Sequence, residues 1–595
     1  MKKFRLLSSL ALLSGVALTM TACGGKSDNA NVSTKAFKSA VPKKEVKKGG
    51  TLRQALTTNT PFTGVFLNEL ADTQDDSDVM SPANESLFYF DDSYGYNDEG
   101  PATIKMDVKK KTVTVKIKKG VKWSDGKQVC AKDYEYAYEI IANKDTQTSR
   151  YTESLQALKG LTEYHDGKAK TISGIEMPDG EKGLTVVLHY KEMKPGMRQS
   201  GNGFIWECAV PYHYLKDVPF KKLKESDKVR KNPLFFGPYK FSKIVRGQSA
   251  TFVRNPYYWR GKPNFDKVVI QVLNPNNSSQ ALKSHKFDII GVRNSQWKEV
   301  KNTKGVNFVG KVGLGYSYVG FKVGKWSAKK GKNIMNPKAK MNNKALRQAI
   351  AYGMNIAPVY KRYTNGLTFQ IPTLIPKQFG AFYNGSVKPY TQDFKKANKL
   401  LDDAGYKKKG KWRVQPNGKP LVIHFAAMSG SAIQEPIIQN YLKQWHKLGL
   451  NVKLAGGRLM EMNSFYDKVM HDDPSVDMFM AAWGLSSEPS PNDLYNERAP
   501  YNFTRFVTKK NSELLKAIDS TKAFNKKYRI AKFHEWQKYM ADELYVLPVA
   551  NNWSITAVNS KISGYDASPS ASCKFWINCG SVSYTHLTLP TNREV

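Results

Sequence analysis

Leu421-Val-Ile-His-Phe425, Leu450-Asn-Val-Lys-Leu454 and Asp477-Met-Phe-Met-Ala-Ala482 are three strand-like runs separated by helix-like segments. After the first run, Pro436 suits a first helical turn. Ile437, Ile438, Tyr441, Leu442, Trp445 and Leu448 then recur at helical spacing, and Gly449 ends that helix. Residues Met460 to Met470 read as a second helix. Strand, helix, strand, helix, strand implies a parallel sheet with right-handed crossovers, and so an α/β class. In such sheets ligands lie beyond the carboxyl ends of strands. Trp483-Gly-Leu-Ser-Ser-Glu-Pro489 leaves the third strand at that edge, bringing an aromatic ring, a glycine and two hydroxyls. It is a candidate ligand loop; a structural turn around a core tryptophan is the alternative.

Further out, Val113, Val115 and Ile117 alternate with polar residues as a half-buried strand does. Ser124-Asp125-Gly126 supplies a turn, and Tyr134, Ala137, Tyr138 and Ile141 form one face of a helix. Leu346, Ala349, Ile350 and Met354 mark another helix. Phe394, Ala397, Leu400, Leu401 and Ala404 mark a third, with Asp393 near its start and Gly405 at its end. There is no internal repeat.

The amino terminus reads as a bacterial lipoprotein export signal. Lys2, Lys3 and Arg5 precede an apolar run from Leu6 to Met20 that is too short to span a bilayer comfortably. Met20-Thr-Ala-Cys23 resembles a lipobox, with Met20 in place of the usual leucine, which predicts acylation of Cys23. A diacylated end gives stable anchoring, so the chain is expected on the outer face of a cell membrane. Residues 23–48 are poor in large apolar side chains and read as a flexible tether. At the other end, Val582-Ser-Tyr-Thr-His-Leu-Thr-Leu-Pro-Thr591 resembles a translated sequencing adapter, so residues 582–595 are set aside.

With 595 residues the chain is too long for one small core, and two or three lobes are expected. The 31 tyrosines among its aromatic residues exceed what a disordered chain carries and suit a large aromatic-lined cavity. Ninety-two basic and 51 acidic side chains give a net charge of +41, a field that attracts polyanions. Export argues against nucleic acid; anionic wall polymers or lipid are the better partner class, and a merely solvated cationic surface is the alternative. Cys130, Cys208, Cys573 and Cys579 allow three pairings; Cys573 and Cys579 are close enough in sequence to pair, and no bridge is expected.

Catalytic signatures are missing. The sequence holds no Gly-x-x-x-x-Gly-Lys-Ser/Thr loop, no His-Glu-x-x-His pair and no Gly-x-Ser-x-Gly elbow. His471-Asp472-Asp473, followed by Pro474, is the densest group of metal-ligand types and reads as an exposed acidic turn. No metal, cofactor or enzymatic activity is expected.

Four blocks carry a family resemblance. Lys118-Lys-Gly-Val-Lys-Trp-Ser-Asp-Gly-Lys127, with Val129-Cys-Ala-Lys-Asp-Tyr134, resembles the signature stretch of the oligopeptide-binding, family 5 solute-binding proteins of ABC importers. Gly237-Pro-Tyr-Lys-Phe241 with Asn255-Pro-Tyr-Tyr-Trp-Arg-Gly-Lys-Pro263 is similar to a second block. Asn343-Lys-Ala-Leu-Arg-Gln-Ala-Ile350 is similar to a third, and Ala482-Trp483 followed by Glu488-Pro-Ser-Pro491 to a fourth. The blocks stand in family order over roughly residues 49–580. Lipobox and basic composition look most like the peptide-binding lipoproteins of Gram-positive lactic acid bacteria.

The resemblance implies a two-lobed, periplasmic-binding-protein-like clamshell with mixed sheets and an extra subdomain. Lobe I would comprise 49–87, 191–317 and 556–580, the subdomain 88–190, and lobe II 318–555. It further implies a monomer that holds extracellular oligopeptides as extended strands and hands them to membrane permease subunits. Main-chain pairing would give affinity without sequence selectivity. By position, Trp483, Gly484, Leu485, Ser486, Ser487 and Glu488 would be contacts, with Asn84, Tyr318 and Phe321 as further candidates. Some relatives place an aspartate three residues after the loop tryptophan to hold the peptide ammonium; here that residue is Ser486. Glu488 is one substitute. The favoured reading is that peptide ends are not fixed and longer ligands are accepted. A pheromone receptor, a cationic surface or adhesion protein, a binder of nickel chelates or sugars, and a hydrolase are the competing readings. Nine histidines in the whole chain weigh against nickel.

Overall fold

The computed structural model describes residues 37–58, 61–146, 148–429 and 433–583. Acylation at Cys23 and the segment from 584 onward lie outside them.

The three expected strands form at Val422–Ala427, Asn451–Leu454 and Met478–Gly484. All three run parallel, in the spatial order second, first, third. The intervening helices are Gln434–Lys447 and Met462–Met470. The first buries Ile437, Ile438, Tyr441 and Trp445, the side expected from its period. The sheet as a whole is mixed rather than parallel: Gly315–Phe321 pairs antiparallel with Met478–Gly484, and Val546–Asn559 pairs antiparallel with Gly315–Phe321.

This last strand belongs to two sheets. Its first half completes the lobe II sheet through pairs such as Ser317↔Ala550 and Gly320↔Val546. Its second half lies between Ile289–Val292 and Val306–Val312, both antiparallel to it. The lobe I sheet continues through Thr51–Thr57 and Lys267–Leu273, which are parallel, to Ser249–Arg254 and Tyr239–Val245. The chain therefore passes between lobes at Gly313–Leu314 and at Asn551–Asn552. The two crossings are tied together: Gly313 N–H donates to Asn552 O (3.3 Å), and the buried Asn551 amide donates to Gly313 O (3.0 Å).

A separate four-stranded antiparallel sheet, with Ala102–Asp107, Thr112–Ile117, Thr185–His189 and Ile175–Glu176 in that order, carries the helix Ala131–Ala142. This extra subdomain has its own core around Trp123, Tyr134, Tyr138 and Leu188. Met193, Met197 and Ile205 join the same core, so the segment after residue 190 packs with the subdomain as well as leading into lobe I.

The family blocks are structural knots. Asp133 caps its own helix by accepting from Cys130 N (3.0 Å), and it also accepts from Trp123 Nε1 (2.9 Å) and Tyr212 N (2.9 Å). Asn343 caps the helix Lys344–Gly353 by accepting from Leu346 N (3.0 Å). Arg347 is fully buried and gives its N–H groups to the carbonyls of Met341, Asn342 and Glu543. Such charge-assisted bonds satisfy a guanidinium that would otherwise be costly to bury.

Two expectations change. Asp472 is not part of an exposed turn: it is buried, has a left-handed backbone (φ 57°), and pairs with Lys322 and with Arg505 Nε (2.8 Å). Two buried cations flanking it hold its carboxyl below the ordinary range, against the effect of burial. Val582 and Ser583, set aside with the tail, pair with the segment before lobe I: Val582 aligns with Val46, and Ser583 N donates to Glu45 O (2.9 Å). Cys130, Cys208, Cys573 and Cys579 are free thiols. Among the described residues no helix is long and apolar enough to cross a membrane, and no group of side chains has the make-up of a metal site.

Glu85 accepts from Tyr89 Oη (2.5 Å), Tyr258 Oη (3.2 Å) and Trp259 Nε1 (3.3 Å), which ties the second family block to the start of the subdomain. Glu69 accepts from Trp206 Nε1 (2.7 Å). Burial raises both carboxyls from 4.5 to about 7. Between those values the folded chain holds protons that the unfolded chain has lost. The resulting stabilisation is complete below 4.5 and disappears as pH rises through about 7. The unfolding midpoint should accordingly fall across that window, by the equivalent of roughly 3 kcal/mol per carboxyl. Glu85→Gln should flatten the slope; a variant with the parent's slope would contradict the assignment.

Candidate functional site

At the carboxyl end of Met478–Gly484 the ladder stops at the pair Gly315↔Gly484. Leu485 N still reaches Leu314 O (3.0 Å), and beyond it the loop backbone leaves the sheet. The loop forms one wall of a cavity of ≈ 200 Å³. Gly484, Leu485, Ser486 and Glu488 line it, together with Tyr316, Leu374 and Ile375 of lobe II. The opposite wall is Lys194, Gly196, Asn202 and Phe204, from the segment that packs with the subdomain. The cavity thus lies between the two halves of the molecule.

Glu488 is already committed. One oxygen accepts from Arg529 Nη2 (2.6 Å), and the other accepts from Ser490 N (2.9 Å). The same guanidinium reaches Asp519 (3.2 Å), which accepts from Ser490 Oγ (2.6 Å). Burial raises the Glu488 carboxyl above the ordinary range even though Arg529 opposes the shift. The network braces the loop and occupies both Glu488 oxygens, so the carboxylate is already paired with a buried cation rather than presented to a ligand ammonium.

It also spans the cleft. Arg529 Nη1 approaches Gln199 Oε1 (3.4 Å), and Arg198 Nη1 donates to Phe524 O (3.2 Å). A Cβ at Gly196 would stand 2.8 Å from the Glu488 carboxyl, so only glycine permits this approach. The segment's shape is set by Asn202, whose Oδ1 accepts from Phe204 N (2.7 Å) and Ile205 N (3.0 Å) and whose amide donates to Gln199 O (2.6 Å).

The remaining expected residues are distributed as follows. Ser487 does not line the cavity but lies against Gly201 across the cleft, its Oγ 3.3 Å from where a Cβ would be. Trp483 is half-buried and stacks on Phe503 (5.4 Å, 28°) and near Tyr318 (6.4 Å, 9°). Tyr318 and Phe321 are buried in the lobe II core, so packing is their role here. Asn84 exchanges amide hydrogen bonds with Asn68 (3.0 Å each). Tyr316 was missed, although it sits two residues before Tyr318 on the same strand face; its hydroxyl meets that of Tyr495 (2.7 Å). Lys194, Asn202 and Phe204 carry no motif that sequence reading could use.

Residues 100–504 match the family described as bacterial extracellular solute-binding proteins, family 5 middle. The chain belongs to this family. It is 41% identical, over 514 residues, to the oligopeptide-binding protein OppA of Lactococcus lactis subsp. cremoris (strain SK11), covering 85% of this chain and 86% of that protein. Against OppA of Lactococcus lactis subsp. lactis (strain IL1403) identity is 40%, over 95% and 96% of the two chains. Among solved structures, lactococcal OppA complexed with an endogenous peptide in the closed conformation superposes with a TM-score of 0.76 at 40% identity, covering 89% of this chain and 100% of that one.

Gly484 separates a folding role from a ligand role. Its φ is not left-handed, and a Cβ there would meet nothing within 4 Å. Folding does not require a glycine at this position; a ligand backbone drawn up against the loop would. Gly484→Val should change stability by no more than about 0.5 kcal/mol while weakening retention of a cavity ligand roughly tenfold or more. A stable variant that keeps its ligand as tightly as the parent would show that nothing approaches this edge.

Proposed function

We propose that this family 5 protein captures extracellular oligopeptides in the cleft between its halves and delivers them to the permease of an ABC importer. What carries the reading is the cavity at the carboxyl edge of the lobe II sheet, open at Gly484 and closed over by the Lys194–Phe204 segment. The peptide lies extended along the loop after Gly484, and its amides and carbonyls pair with main chain. Burying those groups unpaired would be costly, so the pairing supplies affinity whatever the side chains. Glu488 braces the loop through Arg529, and Ser486 stands where an acid would hold the peptide ammonium. Neither clamps a terminus, which suits ligands of varied length. Glu488 and Asp519 of the lining share Arg529, so the cavity has no large net charge with which to select peptides by sign.

Cys23 is acylated, and the protein works as a lipid-anchored monomer on the outer face of the membrane of a Gram-positive cell. Lobe II, expected at 318–555 and bounded by the crossings after Gly313 and Asn551, closes on lobe I and the subdomain by bending there. It binds without chemistry, and neither metal nor cofactor takes part.

Native mass spectrometry of the full-length protein, purified without denaturation from a peptide-rich host, tests this. Assorted adducts that fragment as peptides of several lengths are expected. A single uniform adduct would mark a dedicated signal receptor instead. An unliganded mass that stays unshifted by added peptide mixtures would contradict the proposal.

A further inference from the structure

Charge is unevenly distributed along this chain. Between Glu299 and Asp393 the sequence has sixteen lysines and arginines and not one carboxylate. The densest part folds as a hairpin, Gly324–Ser327 paired with Lys332–Met335. One face of the hairpin is fastened to lobe II. Trp326 N donates to Asp472 Oδ2 (2.7 Å), and the buried Asn333 amide donates to Glu497 O (3.0 Å) and Ala499 O (2.9 Å). Because side chains alternate along a strand, the next pair, Lys325↔Ile334, faces outward.

Among the described residues that outer face has no ion-pair partner. Lys325, Lys329, Lys330 and Lys338 are exposed and form no ion pair among the described residues. Glu497, which the hairpin touches, is taken by Lys332 (2.5 Å). Ile334, directly across the hairpin from Lys325, stands 40% exposed, one of only four large hydrophobic side chains so exposed among the described residues.

The strand register sets the hairpin apart from the cavity edge. Gly315 aligns with Gly484 at the cavity edge, whereas Phe321 aligns with Met478 six residues away. At the rise of a strand that is roughly 20 Å. The hairpin continues from the far end, so it caps the pole of lobe II that points away from the cleft.

We propose that this hairpin is a docking surface for the anionic phospholipid face of a bilayer. Lys325, Lys329, Lys330 and Lys338 meet lipid phosphates, and Ile334 enters the headgroup layer between them. A cationic rim around one exposed aliphatic side chain is the arrangement an interfacial contact uses, since charge draws the surface in and the apolar group holds it. A soluble wall polyphosphate would satisfy the lysines but give Ile334 no apolar environment, which is why lipid is favoured. Docking would give lobe II its own hold on the membrane, independent of any anchor at the amino terminus.

Hydrogen exchange of the full-length protein incorporated into vesicles tests the assignment. The vesicles are phosphatidylcholine alone, or phosphatidylcholine with one third phosphatidylglycerol. In the anionic vesicles, exchange of amides in 324–335 should slow by roughly an order of magnitude, and salt of about 0.5 M should abolish the protection. A variant with Lys325→Gln, Lys329→Gln, Lys330→Gln and Lys338→Gln should keep the parent's unfolding midpoint and lose the protection. Equal exchange in the two vesicle types would overturn the proposal. So would protection that persists in the variant, or protection by soluble wall teichoic acid with neutral vesicles but not by anionic lipid.

Discussion

One strand, Val546–Asn559, is hydrogen-bonded into two sheets, and most of the molecule's behaviour follows from that sharing. A strand edge buried without partners is costly, so each half must stay paired within its own lobe. Bending is thereby confined to the few residues where the strand changes sheets. There the second crossing, at Gly313, is tied to it by the Asn551 amide and the Asn552 carbonyl. In the proposed capture mechanism, these two short connections side by side are where the lobes would bend.

The same topology places the site. Gly315–Phe321 leaves the hinge directly and pairs with Met478–Gly484, so the loop after Gly484 stands at the mouth of the cleft. The carboxylates of Glu488 and Asp519 share Arg529, itself nearly buried. A charge pair so placed contributes little net stability over an apolar equivalent, but it fixes geometry, because removing either partner strands the other. Here it fixes the loop, and through Gln199 and Arg198 it sets where the opposite wall comes to rest.

Much of the fold was legible. The 421–482 stretch has long, clean periodicities, and its strands and helices formed as its pattern indicates, with the three strands parallel. The antiparallel completion of that sheet was not legible, because Gly315–Phe321 and Val546–Asn559 are distant in sequence and neither announces its neighbour. The candidate site was partly legible: the loop's place at the carboxyl edge of the sheet followed from the pattern, and four of its expected residues line the cavity there. Tyr318 and Phe321 lie on opposite faces of their strand, and both are covered by lobe II packing, so neither lines the cavity that Tyr316 reaches. Asp472 was misread because burial through ion pairs with Lys322 and Arg505 leaves no local signature. The opposite wall, built from Lys194, Asn202 and Phe204, depends on how the subdomain folds back.

On the proposed function, ligand is held by closure of the two halves about this shared strand. Small-angle X-ray scattering of the full-length protein tests it most directly, comparing a sample stripped of ligand by mild denaturation and refolding with the same sample saturated with a peptide mixture. Closure predicts a smaller radius of gyration and a shorter maximum dimension when peptide is present. Identical scattering from two samples that demonstrably differ in bound peptide would contradict it.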